Sequence, residues 1–282
     1  MVSVSAENIT EEVAQLTLKR FSESGLKRDE LAISLKVMGK GAITSSHYRG
    51  DELIYPASIV KLFYLVAAHR WLQDHRVEPS DELLRAMRDM IVDSSNDATH
   101  YVIDILTGTT SGPELPESEM EEWREKRNAI NEYFRIQGYD GINVSQKPWG
   151  DGPYGRERVF AGENQQNRNL LTTNTTARLL TEIVLTGSVS PARSKQMMSL
   201  LARDYQKASV DPDDQATCYS GRALTAGCRL WSKAGWTSTT RHDAAYIELP
   251  GGKRIVLVTF TVNHAKEYEI IPFVVWEVVK RL

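Results

Sequence analysis

The chain has 282 residues, 41% of them hydrophobic and 25% charged, with a formal net charge of −3. That length supports a substantial core, and that balance excludes a disordered or collagen-like chain. The small negative charge offers no basic field for nucleic acid or an anionic membrane surface, and no apolar run reaches the roughly 18 residues of a membrane-crossing helix.

Met1 to Glu7 lack a basic stretch followed by an apolar one, so no secretory leader is read. The expected location is therefore the cytoplasm, or the periplasm if a leader has been removed. Two cysteines, Cys218 and Cys228, are too few for a disulfide scaffold and show no metal-ligand spacing. A single local disulfide and two free thiols both stay open. No metal, cofactor or nucleic-acid partner is expected; the partner is a small-molecule substrate.

A first helix is predicted from Asn8, with Asn8 as cap and Glu11 completing a capping box. It turns Val13, Leu16 and Phe21 inward and ends near Gly25. Alternation through Leu31, Ile33, Leu35 and Val37 predicts a strand, and a Gly39-Lys40-Gly41 turn leads to a second over about 42–48. From Pro56 the spacing becomes helical, with Ile59, Leu62, Phe63, Val66 and Ala67 on one face. Further helices carry Leu83, Leu84, Met87 and Ile91, then Ala98, Tyr101, Val102, Ile105 and Leu106.

Residues 107–125 read as polar and irregular, and 138–169 as a long loop, a length that points to function. Helices return at about 174–186 and 191–205. A hairpin follows, from Ala244–Leu249 through Pro250-Gly251-Gly252 to Ile255–Val262, and a last helix covers about 267–280. The fold class is α/β in the α+β sense: one antiparallel sheet built from both chain ends, flanked by terminal helices, with an all-helical part packed on it. It is read as one domain over 1–282, with an α/β part at about 1–56 and 207–282 and a helical part at about 57–206.

Three segments could carry chemistry. In Ser58-Ile59-Val60-Lys61, a serine at a helix start is followed one turn later by a lysine. A serine hydroxyl needs a base to become a nucleophile, and a buried amine near other cations can lose its proton and serve. Ser24-Gly25-Leu26-Lys27 has the same spacing but runs into a charged segment and reads as surface. In Ser94-Ser95-Asn96, a hydroxyl could pass a proton to a leaving group and an amide could hold a substrate carbonyl, although an ordinary helix cap has the same composition. In Ser232-Lys233-Ala234-Gly235-Trp236-Thr237, at the expected start of a strand, the glycine allows close approach and the lysine attracts a carboxylate. The N–H of Trp236 could join that of Ser58 as an oxyanion hole.

Ser-x-x-Lys, Ser-x-Asn and Lys-x-Gly in this order resemble the signature of class A β-lactamases and penicillin-binding proteins. The likeness extends to Tyr55-Pro56-Ala57-Ser58 before an apolar helix, to Arg168-Asn169-Leu170-Leu171-Thr172-Thr173, which looks like the end of that family's Ω-loop, and to the strands from Lys233 to Thr261. It covers roughly residues 5–280.

The resemblance implies that Ser58 is acylated, that Lys61 is its base or relay, and that Ser94 shuttles a proton to the leaving nitrogen. It further implies that Asn96 holds the substrate amide, and that Lys233, Gly235, Trp236, Thr237 and Arg241 form the carboxylate and oxyanion side. Departures are Ser95 in place of the motif's aspartate, Ala234 in place of its hydroxyl residue, and an unclear Ω-loop carboxylate. Glu163 has an asparagine at the right interval but lies too close to Arg168, whereas Glu157 has the better spacing but no such asparagine.

Three functions follow: a serine β-lactamase, a D-Ala-D-Ala-type peptidase or other amide or ester hydrolase on the same fold, and a non-catalytic penicillin- or peptide-binding sensor. The histidines show no ligand or base pattern, and neither His-Glu-x-x-His nor Cys-x-x-Cys occurs.

Overall fold

A computed structural model describes residues 8–39, 41–149 and 152–282. Ten α-helices and a six-stranded sheet occur among these residues. Met1 to Glu7 and Lys40, which figured in the leader and turn readings, lie outside them.

Helix α1 (Ile9–Arg20) buries Val13 but leaves Leu16 exposed, and the Asn8 side chain makes no cap bond, so the expected capping box is absent. The helix stops at Arg20, where the Phe21 N–H caps Thr17 O, and the chain turns through Gly25 at φ +78. Strands β1 (Leu31–Met38) and β2 (Ile43–Tyr48) follow. A 3₁₀ turn over Ala57–Val60 leads into α2 (Lys61–Gln73). This helix is buried on almost every side, as a helix at the centre of a core must be.

Around α2 stand α3 (Asp81–Val92), α4 (Asn96–Thr107), α8 (Thr173–Val184) and α9 (Pro191–Leu201). The buried face of α4 is Thr99, Val102, Ile103 and Leu106, with Ile105 outward, so the expected apolar face is rotated by about one residue.

The stretch read as irregular, 107–125, holds most of a helix, α5 (Glu117–Arg127), and α6 (Ala129–Ile136) follows in residues that were given no element. Helix α5 buries only Met120, Trp123 and Arg127, a stripe too narrow to stand out from its charged residues. A short α7 (Gly155–Ala161) interrupts the long loop, and Trp123 packs edge-on against its Phe160.

The sheet runs β2-β1-β6-β5-β4-β3, antiparallel throughout. Its last strands are β3 (Ala202–Arg203), β4 (Arg229–Trp236), β5 (Thr240–Glu248) and β6 (Arg254–Val262). Helix α9 ends before its expected limit because Ala202 and Arg203 leave it to pair with Trp231 and Leu230. The final helix α10 (Ile270–Lys280) starts later than expected.

Strand alternation sorts the core into two. Val256, Val258 and Phe260 face α2 and α8, whereas Ile255 and Leu257 face α1 and α10. None of the described helices is long and apolar enough to cross a membrane.

Candidate active site

Ser58 sits half-buried in the 3₁₀ turn that opens α2, so its N–H is one of the donors that a helix start leaves free. The preceding Ala57 adopts φ +46, a left-handed conformation that costs a non-glycine residue energy. The approach to Ser58 is held from behind by His242 on β5. Its Nδ1 accepts from the Thr261 N–H at 3.1 Å, so its Nε2 is the donor to Tyr55 O at 3.0 Å. Burial lowers the His242 pKa to about 4, which keeps the ring neutral for this task.

Strand β4 passes directly beside Ser58. A Cβ at Gly235 would lie 2.9 Å from the nitrogens of Ser58 and Ile59 and from Pro56 O, so only glycine fits. Lys233, expected at the start of a strand, instead lies toward the end of β4.

The edge of β4 away from β5 carries the polar backbone groups that matter. Thr237 N donates to Thr240 O, which places Trp236, opposite Arg241, in a pair whose N–H points away from β5. The same alternation sends Ala234 N outward, where it meets Gln215 Oε1 at 3.2 Å. The Trp236 N–H thus points outward at this edge, and the Ser58 nitrogen lies 2.9 Å from where a Gly235 Cβ would be.

Lys61 is fully buried. Its Nζ donates to Ser94 O at 2.6 Å, Asn96 Oδ1 at 2.8 Å and Ser94 Oγ at 3.3 Å, none of them formally charged. Burial among such acceptors lowers its pKa to about 7. Ser94 is held at φ +56 in the turn between α3 and α4. Its hydroxyl also accepts from Lys233 Nζ at 2.9 Å, so one oxygen bridges two lysines.

Asn96, the first residue of α4, turns its carbonyl to Lys61, which leaves its amide N–H groups for another partner. Ser95, where the family motif has aspartate, caps α4 by accepting from Ala98 N at 3.1 Å.

Lys233 is buried as completely as Lys61. Its other bonds go to Gln215 Oε1 at 2.5 Å and Ala234 O at 2.7 Å, and burial with the nearby Lys61 and Arg203 charges pushes its pKa well down. Gln215 and Arg203 did not emerge from the sequence. Both lie outside the motifs and reach the site across the fold, through contacts that leave no local pattern in a sequence.

Two further expected positions, Thr237 and Arg241, serve differently, while Trp236 was expected to act through its N–H. The Trp236 side chain shares the α1–α10 side of the sheet with Tyr219, so only its backbone faces the site. Thr237 Oγ1 accepts from the N–H groups of Thr239 and Thr240 at 3.1 Å each and thereby shapes the β4–β5 turn.

Arg241 was expected to bind a substrate carboxylate and does not face the site. It pairs across from Trp236, on the sheet face opposite Lys233. It is buried, bonded to Asp213 Oδ1 at 2.7 Å and to the carbonyls of Pro212 and Cys218, and stacked on Tyr219.

Neither candidate base on the loop is placed with Lys61. Glu157 is buried on α7 and ion-paired with Arg127 at 2.8 Å and Lys147 at 3.4 Å, with Asp104 joining the cluster through both cations. Glu163 is exposed. The segment before α8 instead closes the loop: Leu171 bridges to Ile54, Leu170 to Asn143, and Asn169 grips both backbone groups of Gln146. Cys218 and Cys228 are free thiols. Among the described residues, no group of three or more His, Cys, Asp or Glu side chains is placed to hold a metal ion.

A search of curated protein sequences returns no match. Among solved structures, the chain is similar to PBP-A at 17% identity with a TM-score of 0.66, over 98% of this chain and 96% of that one. It is similar to an ancestral class A β-lactamase at 18% identity and a TM-score of 0.67, over 97% and 100% of the two chains. A β-lactamase from Sphaerobacter thermophilus aligns at 16% identity and a TM-score of 0.64, over 96% and 95%.

At these identities the likeness is one of fold, and it accounts for the mixed α/β architecture. Membership rests on a sequence match over residues 17–274 to the model of the beta-lactamase enzyme family, and the chain belongs to that family.

Proposed function

We propose that the protein is a serine hydrolase that opens β-lactams through an acyl-enzyme at Ser58, and that acylation outpaces deacylation. The observation that carries this reading is a buried lysine with a pKa of about 7, one helical turn from a serine and bonded only to uncharged oxygens. Near neutral pH about half of such amines are unprotonated and able to accept the serine proton.

In the proposed reaction the substrate carbonyl oxygen seats between the N–H groups of Ser58 and Trp236. Ser58 Oγ bonds to the carbonyl carbon while Lys61 Nζ takes its proton. The C–N bond of the tetrahedral adduct then breaks, and the departing nitrogen takes the Ser94 hydroxyl proton. Lys61 restores that proton through its bond to Ser94 Oγ. Lys233 supplies positive charge for a substrate carboxylate, and the Asn96 amide donates to the substrate side chain.

Release of the acyl group needs a base for water. The buried loop carboxylate Glu157 is engaged by two cations, and Glu163 is exposed. This favours a long-lived acyl-enzyme, and with it a D-Ala-D-Ala-type peptide or related amide as the natural substrate. A PBP-A variant has been solved as an acyl-enzyme with penicillin G, at 18% identity and a TM-score of 0.66 over 96% of both chains.

Intact-mass spectrometry of protein and ligand after incubation with benzylpenicillin tests this. A persistent adduct on the wild type and none on Ser58→Ala is the expected result. Absence of both adduct and hydrolysed ligand, or reaction surviving in Ser58→Ala, would overturn it.

A further inference from the structure

Lys233 and Ser94 stand on opposite walls of the cleft, one on β4 and the other in the turn after α3. Two side chains, the partly buried Arg203 and the buried Gln215, fasten these walls together. Arg203 donates to Ser232 O on β4 at 2.9 Å and to Ile91 O near the end of α3 at 3.0 Å. Gln215 spans the same gap one step closer to the reacting centre. Its Nε2 donates to Val92 O at 3.0 Å and to Ile91 O at 3.4 Å, while its Oε1 accepts from Lys233 Nζ and Ala234 N. All its amide atoms are thus committed, and the side chain is only 8% exposed.

We infer that Gln215 is a positioning residue that sets the specificity of the site for carboxylated substrates. It orients Lys233 toward Ser94 while leaving the lysine charge uncancelled. The inference rests on the acyl-enzyme reading above.

A buried ammonium is ordinarily paired with a carboxylate. Here the Lys233 ammonium instead meets three uncharged oxygens: Ser94 Oγ, Gln215 Oε1 and Ala234 O. The nearest compensating charge, Asp243, lies on the far face of the sheet, where its Oδ2 accepts from Ser220 N–H and Oγ while its Oδ1 is left without a partner. An amide at 215 therefore fixes the Lys233 geometry and keeps its field available to an incoming anion. A carboxylate at 215 would keep the contact to Lys233 but lose the donation to Val92 O and Ile91 O, and it would cancel that field.

Gln215→Glu is the direct test, being nearly isosteric, with Gln215→Asn as a shortened variant that keeps the amide. Acylation rate constants are measured for benzylpenicillin and for its uncharged methyl ester. The wild type prefers the carboxylate, and Gln215→Glu is expected to lower the ratio of the two rates at least tenfold. Gln215→Asn should slow both substrates together. A merely structural role would slow both equally in either variant, so an unchanged ratio in Gln215→Glu overturns the inference.

NMR titration of isotopically labelled lysine side chains, on wild type and Gln215→Glu, keeps the two readings apart. If the wild type acylates with neither substrate, the acyl-enzyme reading fails. A Lys233 titration raised by a pH unit or more in Gln215→Glu then still supports the coupling, and an unmoved titration refutes it.

Discussion

Three residues of the site hold backbone arrangements that their surroundings must enforce. Ala57 and Ser94 both take positive φ, at +46 and +56, and each such residue costs about 1–3 kcal/mol. The third, Gly235, meets its constraint by having no side chain. A methyl group there would collide with the backbone of Pro56, Ser58 and Ile59 at 2.9 Å, and backbone cannot swing aside as a flexible side chain can. In Gly235→Ala the turn carrying Ser58 must retreat from β4, which pulls the Ser58 and Trp236 N–H groups apart. Losing one oxyanion donor elsewhere lowers rates by about 100- to 1,000-fold. The acylation rate constant of Gly235→Ala with benzylpenicillin should fall by about that factor, with a drop in melting temperature alongside. A rate within threefold of wild type would mean that the two N–H groups do not act together.

At the scale of elements, motif positions on α2, α4 and β4 were legible because they are local. Ser58 to Lys61 is one helical turn, Ser94 to Asn96 is one turn entry, and Lys233 to Gly235 is one strand face. Arg241 was misplaced because its direction depends on register. Pairing with Trp236 puts it on the face opposite Lys233, and no feature of the Thr239-Thr240-Arg241 stretch announces that pairing.

Glu157 was ambiguous for a related reason, since its partners Arg127 and Lys147 lie on α5 and in the preceding loop. Their pairing makes α7 part of a buried ionic cluster rather than a catalytic wall. Removing one member of such a cluster leaves uncompensated charge, at a cost of about 3–5 kcal/mol. Glu157→Gln should therefore lower urea-unfolding stability by a few kcal/mol while leaving the lifetime of the benzylpenicillin adduct within about twofold. A stable variant with a markedly altered adduct lifetime would restore Glu157 as the water-activating base.

Across the whole molecule, the sheet divides the interior into a core against α2 and α8 and another against α1 and α10. The order of strands and helices that produces this division was readable from alternation and helical spacing, apart from α5, α6 and α7, whose buried stripes are narrow. What the order alone does not reveal is that the helical and sheet parts meet over buried cations. Lys61, Lys233 and Arg203 converge there, and burial lowers the pKa of all three.

This convergence has a stability signature. The folded pKa of Lys61 is about 7 against an ordinary value of 10.5. Below pH 7 the amine is protonated both folded and unfolded, so the burden on the folded state is complete, about 5 kcal/mol at ~1.4 kcal/mol per pH unit. Between pH 7 and 10.5 the unfolded chain holds one more proton than the folded one. Stability attributable to this group therefore rises with pH across that window.

In Lys61→Met the burden disappears, and Lys233 is relieved of a neighbouring cation, which acts in the same direction. The loss of partners for Ser94 O and Asn96 Oδ1 offsets part of the gain. Lys61→Met should thus be more stable than wild type by about 1–3 kcal/mol at pH 6, with the advantage shrinking steadily by pH 9. Urea unfolding of both proteins across this range measures it. A difference that stays flat with pH would mean that Lys61 keeps an ordinary pKa in the folded protein and is not poised to accept a proton from Ser58.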